Sequence, residues 1–213
     1  MIKNILCYSH SNFDNIMQNN SWINSPGPNC SAISICSPND RGFEHWFKDD
    51  CHGILTSVFN LDIDDGGPFW FKEFASDNYD KSLEYFLKGN LKMSNAYFNY
   101  IDTYGTLIHV MDYEEAFDLV KWIDNRIRNF DSTIYIHCAA GVSRSQGVVR
   151  YILDTYGDEF DIHTNKNNPC LTPNSHVVMM LKRAYVHLLY NGYFDMLDNL
   201  NDGKNNYNRY VFK

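Results

Sequence analysis

The stretch His137-Cys138-Ala139-Ala140-Gly141-Val142-Ser143-Arg144-Ser145 decides how the rest of this 213-residue chain is read. A cysteine and an arginine flank five residues. A β-rich run, Thr133-Ile134-Tyr135-Ile136, leads in, and a helical pattern from Gln146 to Tyr156 leads out. A strand, a tight loop and a helix in that order gather several backbone N–H groups around one point. With the positive end of a helix behind it, such a nest binds an anion. A cysteine at its base feels the same field, which favours its thiolate. Arg144 adds a planar fork of donors matched to two oxygens of a phosphate-like group. Together these parts hold an oxyanion and aim a nucleophile at its centre.

The stretch resembles the Cys-x5-Arg signature of the cysteine-dependent protein tyrosine phosphatase superfamily. His137, Gly141 and Ser145 fit its tyrosine and dual-specificity branch. Weaker features look like the small bacterial and phage-type dual-specificity members: Ile33-Ser34-Ile35, Leu61-x-Ile63-x-Asp65, an alanine-bearing helix before the cysteine strand, and Leu171-Thr172-Pro173-Asn174.

The resemblance implies an α/β fold, a central mostly parallel sheet flanked by helices, in one catalytic domain over residues 1–213. It implies metal-independent hydrolysis of phosphomonoesters, with no cofactor, on a phosphorylated protein or peptide. Cys138 would attack phosphorus and form a phosphocysteine. The amides of Ala139, Ala140, Gly141, Val142 and Ser143 would hold the equatorial oxygens with Arg144. Ser145, or less readily Ser143, would bond to the sulfur and help it leave. His137 would be structural, bonding inside the loop. The five intervening residues hold no lysine, which disfavours inositol lipids. A rhodanese-type sulfurtransferase and a phosphopeptide-binding pseudophosphatase are the alternative readings.

The family also needs a general acid, an aspartate on a mobile loop. Asp62-Ile63-Asp64-Asp65-Gly66-Gly67-Pro68 ends a strand whose apolar residues Phe59, Leu61 and Ile63 recur at period two. Sites in open parallel sheets gather beyond the carboxyl ends of strands. Asp65 is in phase with Leu61 and Ile63 and is the first choice; Asp64 and Asp62 are its neighbours. Asp112 competes, because it also follows an alternating run (Ile108, Val110). Its spacing to Glu115, however, is that of a capping box.

The remaining pattern fits one domain. Strands are expected at Ile2–Tyr8, Ala32–Cys36 and from Gly53 to Ile63. Ser9–Pro28 reads mostly as loop, with one helical turn at Asn12–Gln18. Phe69–Gly105 is long for a connection and reads as an insertion or lid with a helix at Tyr79–Leu87, or else as ordinary helices. Ala116, Leu119, Val120, Ile123 and Ile127 mark one face of a helix starting after Asp112. Gly157 is expected to cap the helix after the loop. Asn174 precedes a last helix with Val177, Leu181, Ala184 and Leu188 on one face, stopped by Gly192. The tail after Asn199 is polar and expected to fray.

The net charge of −8 argues against a nucleic-acid or anionic-membrane surface but not against an anionic substrate, whose pocket supplies its own field. No run reaches the length of a membrane span. Six cysteines (7, 30, 36, 51, 138, 170) lack zinc spacing, and the N-terminus does not read as a secretion signal. Reduced thiols in a cytoplasm are therefore expected, the host's if the chain is viral. Oligomeric state is not legible.

Overall fold

The computed structural model describes residues 2–18, 29–37, 39–40, 44–47, 55–66, 79–165 and 172–192. In chain order these form β1 (Ile2–Ser9), α1 (His10–Gln18), β2 (Cys30–Cys36), β3 (Leu55–Asp62), α2 (79–87), α3 (Leu91–Asn95), β4 (Asn99–Ile101), β5 (Leu107–His109), α4 (Tyr113–Asn125), β6 (Thr133–Cys138), α5 (Arg144–Tyr156), β7 (Asp161–Thr164) and α6 (Ser175–Tyr190). Five strands form one sheet in the order β3-β2-β6-β1-β7, and every neighbouring pair is parallel. The chain is thus α/β, with helices covering a parallel sheet.

Strands inside such a sheet are covered on both faces. β2 and β6 are buried along their whole lengths. Period two then splits their side chains. Ile5, Cys7, Ile33, Ile35, Ile134, Ile136 and Cys138 share one core with α4, α5 and α6. Ala32 and Tyr135 turn to the other face, where Phe13 and Met17 of α1 cover them.

α4 follows its expected stripe: Ala116, Leu119, Val120, Ile123 and Ile127 are all fully buried, the last in a π-helical turn at Arg126–Phe130. Asp112 and Glu115 form the expected reciprocal capping box. Asn174 caps α6 by accepting from Val177 N at 3.0 Å.

Two local expectations are corrected, those for α1 and for the start of α5, while the cap at Gly157 is where it was expected. α1 is a nine-residue helix from His10 rather than a single turn. Its polar composition favours loop, but Phe13 and Met17, one turn apart, bury against the sheet and tertiary packing prevails. α5 begins at Arg144, two residues before the expected start. β7 was not expected; it is a four-residue edge strand paired with Ile2–Ile5. Gly157 stands at the C-cap with helical φ of −64°. What demands glycine there is space, since a Cβ would lie 2.5 Å from Leu153 O.

Residues 79–105 form α2, α3, a 3-10 turn (Ala96–Phe98) and β4, which pairs antiparallel with β5. Tyr79 and Phe98 belong to the main core beside Tyr113. The beginning of the expected third strand at Gly53, residues 69–78 of the expected insertion, Leu171 and the tail after Asn199 lie outside the described residues. So do Cys51 and Cys170; Cys7, Cys30, Cys36 and Cys138 are buried thiols. Among the described residues no helix is long and apolar enough to cross a membrane.

Candidate active site

Because the strands run parallel, their carboxyl ends meet at one edge. Ser9 of β1 pairs with Cys138 of β6, and Cys36 of β2 with Asp62 of β3. The Cys138 loop, the turn after β2 and the aspartates after β3 therefore converge.

The loop turns on Gly141. Its φ is +71°, and a Cβ there would lie 2.5 Å from Tyr8 C and Ser9 N. Only glycine allows this turn to pass so close to the end of β1. Gln146 braces it from below, donating to Gly141 O at 3.1 Å and to Cys7 Sγ at 3.2 Å. Asn165 in turn grips both Cys7 N and Cys7 O.

Cys138 sits at the floor, 2% exposed, with Sγ 3.1 Å from Ser145 Oγ. Among the described residues the amides of Ala139, Ala140, Val142 and Ser143 donate to no protein acceptor. Ser143 is the N-cap of α5 but does not cap it with its side chain, whose Oγ donates to Asp65 Oδ1 at 2.6 Å. The positive end of α5 therefore points into the loop without a side-chain acceptor of its own. The thiol of Cys36 on the neighbouring strand is pushed up to about 11, chiefly by burial. It stays protonated at neutral pH and is no rival nucleophile.

Arg144 is 4% exposed. Its Nη1 donates to Ile63 O at 2.9 Å, and its Nη2 lies 2.8 Å from Asp40 Oδ2. Among the described residues Asp40 Oδ2 accepts no aligned hydrogen bond, so this contact is an ion pair rather than a fork-to-carboxylate bond. Arg144 Nε is buried and has no partner among the described residues.

The aspartates separate by position. Asp65, exposed at the rim, accepts from Ser143 Oγ and, at 2.7 Å, from Asn174 Nδ2. Asn174 also donates its amide to Ser143 O at 3.1 Å, tying the start of α6 to the loop. Asp64 is buried and accepts from Ser37 Oγ, from Asn39 Nδ2 at 3.0 Å and from His109 N at 2.8 Å. Asp62 pairs outward with His45 at 2.8 Å. Asp112 is consumed in capping α4, and burial first, then Glu115, raises its carboxyl to about 6.

His137 departs from the expectation drawn for it. It makes no bond inside the loop, and among the described residues neither ring nitrogen has a partner. Strand alternation turns it to the face opposite Cys138, where it stacks on Phe13 (centroids 4.4 Å apart) and meets His10 edge-on. Burial, then His10 and His45, hold it down to about 3, so it is neutral. Its role is packing.

His109, Asp112 and Glu115 have ligand atoms within 4.8 Å of one another and are the described group that could hold a metal ion. Those atoms bond among themselves and to the start of α4. Asp40 and Asn174 carry contacts at the site that the motif alone does not announce. Asp40's signal is a carboxylate just past the end of a parallel strand, on the edge where Cys138 ends its own.

Comparison of the chain with protein-family models, with curated proteins and with solved structures finds no significant match in any of the three.

Proposed function

We propose that this chain is a metal-independent phosphomonoester hydrolase, a protein tyrosine or dual-specificity phosphatase of the Cys-x5-Arg type that works through a phosphocysteine. The observation that carries the reading is the arrangement at the edge of β6. A cysteine sulfur lies 3.1 Å from a serine hydroxyl at the floor of a loop whose Ala139, Ala140, Val142 and Ser143 amides meet no protein acceptor among the described residues, with a buried arginine beside it. A neutral structural thiol needs none of these neighbours.

In this reading the Cys138 thiolate attacks phosphorus in line. The S–P bond forms as the P–O bond to the leaving group breaks. Loop amides and Arg144 hold the equatorial oxygens and hold them more tightly as charge develops. Asp65, tethered to the loop by Ser143, gives its proton to the departing oxygen. Water then attacks the phosphocysteine and Asp65 takes up its proton. The S–P bond breaks, and Ser145 Oγ stabilises the returning thiolate. Phosphotyrosine is the first substrate class to try, with phosphoserine and phosphothreonine next.

The test is release of inorganic phosphate from an aryl phosphate. The parent should turn over and be inhibited competitively by vanadate. Cys138→Ser should bind the substrate without releasing phosphate. A parent that turns over thiosulfate and no phosphate ester would replace this reading with sulfur transfer.

A further inference from the structure

The start of α4 carries more acceptors than its cap uses. Asp112 Oδ1 accepts from Glu115 N, and Glu115 Oε2 accepts from Asp112 N, each at 2.9 Å. Among the described residues the second oxygens, Asp112 Oδ2 and Glu115 Oε1, accept no hydrogen bond, although Asp112 is only 3% exposed. We propose that His109, Asp112 and Glu115 form a binding site for one divalent cation of the zinc class, a clasp that joins β5 to α4. The site lies apart from the Cys138 loop and does not rest on the phosphatase reading.

His109 supplies the observation that points to a ligand. Asn99 Nδ2 donates to Asn95 O at 2.8 Å, which turns Asn99 Oδ1 towards His109 Nδ1 at 3.1 Å. Nδ1 therefore carries a hydrogen and donates it to Asn99. The other ring nitrogen, Nε2, lies 3.1 Å from Glu115 Oε2. A carboxylate oxygen only accepts, so a neutral ring sets one lone pair against another. A cation must stand between them, either a proton on Nε2 or a metal ion. An acceptor on the far nitrogen is also what fixes the tautomer of a metal-binding imidazole.

Two donors about 2.0–2.1 Å from zinc, at about 90–110° to each other, stand about 2.8–3.4 Å apart. At 3.1 Å apart, Nε2 and Oε2 fit that span, and the Asp112 ligand atom lies within 4.8 Å of both. Coordination takes lone pairs from the imidazole and the two carboxylates, and any proton on Nε2 passes to water. One imidazole with two carboxylates suits zinc or cobalt(II) better than calcium or magnesium, which favour shells of oxygen alone. The N-terminus of α4 opposes a cation with about half a charge, and two carboxylates outweigh it. Asp62, Glu114, Glu115 and Asp118 line a cavity of about 210 Å³, an acidic approach for a cation. His109 also exchanges bonds with Asp64, whose Oδ2 accepts from His109 N at 2.8 Å and whose amide donates to His109 O at 2.6 Å. A cation on His109 thus stiffens the segment next to Asp65 while the chemistry stays at Cys138. Without a cation the same side chains serve as the cap of α4 alone.

Zn²⁺ titrated into the chelator-treated full chain, followed by calorimetry, reads the site, and visible absorption of the Co²⁺ form reads its ligands. The parent should take up one Zn²⁺, and saturating Zn²⁺ should raise its Tm. His109→Gln and Asp112→Asn should each bind Zn²⁺ about 10-fold more weakly or worse. In chelator Asp112→Asn should melt near the parent, because asparagine still caps α4, so it decides the matter if His109→Gln does not fold. Cys138→Ser should bind Zn²⁺ as the parent does, and the Co²⁺ form should lack the charge-transfer absorption of a cobalt–thiolate bond. A parent that binds no Zn²⁺, or an Asp112→Asn that binds it as tightly as the parent, would overturn the proposal. So would loss of binding in Cys138→Ser, which would place the ion on that sulfur. Turnover of a phosphate ester enters none of these readings, so failure of the phosphatase reading leaves them standing.

Discussion

Asp62, Asp64 and Asp65 stand within one four-residue segment, yet each has a different chemical environment. Asp62 faces solvent beside His45, Asp64 is a buried acceptor of three hydrogen bonds, and Asp65 lies exposed on the loop rim. A general acid must reach the leaving oxygen and exchange protons with water, and of the three Asp65 has both the place and the exposure. Asp65→Asn should slow hydrolysis of aryl phosphates with poor leaving groups by about 10²-fold or more, and much less for good leaving groups. Asp112→Asn should leave kcat near parental without lowering stability at neutral pH, because asparagine caps a helix about as well as aspartate and sheds a buried charge. Steady-state rates across a leaving-group series, with thermal unfolding of both variants, check the pair. Parental kcat in Asp65→Asn with a crippled Asp112→Asn would move the acid to α4.

At the level of elements, what could be read from sequence was whatever declared itself by local periodicity. The α4 stripe, the α6 stripe and the β6–loop–α5 unit were legible because their apolar residues recur at 3.6 or 2 and end in a cap or a glycine. α1 was not, because its amphipathic pattern reduces to Phe13 and Met17 among polar residues, and the surface that rewards them is made by strands far away in sequence. β7 was not, because a short, exposed edge strand has no buried face to write a pattern. Asp40, and the contact of Asn174 with Asp65, escaped for a related reason. A site built at the carboxyl edge of a parallel sheet takes one residue from each of several connections, and no spacing in the chain encodes their meeting. Cys138 and Arg144 were visible because they share a single loop.

Across the whole molecule, buried histidines set the response to acid. His137 is held down to about 3, first by burial and then by His10 and His45. His176 is held down to about 4, first by burial, and it spans the core by accepting from Tyr79 and donating to Met111 O, each at 2.8 Å. Both lie below the ordinary 6.5, so the unfolded chain takes up these protons first as pH falls. The stability they contribute is complete above about 6.5 and drains away towards 4 for His176 and 3 for His137, about 3 and about 5 kcal/mol respectively at the acid limit. Asp112 acts in the opposite sense, since its raised carboxyl costs stability as pH climbs from about 4 to about 6. Asp124 and His109, both raised, act with Asp112, and His187, lowered by burial, acts with the two buried histidines; the two large depressions prevail, so the urea midpoint should rise between about pH 4 and 6.5, and more steeply in Asp112→Asn. A midpoint that stays flat or falls over that interval would contradict this balance.

The covalent intermediate is the point on which the account turns. Rapid acid quench of the parent with an aryl phosphate, followed by mass analysis of the peptide bearing Cys138, should find one phosphoryl group on that sulfur and none in Cys138→Ser. Steady phosphate release with no adduct on Cys138, undiminished in Cys138→Ser, would contradict it.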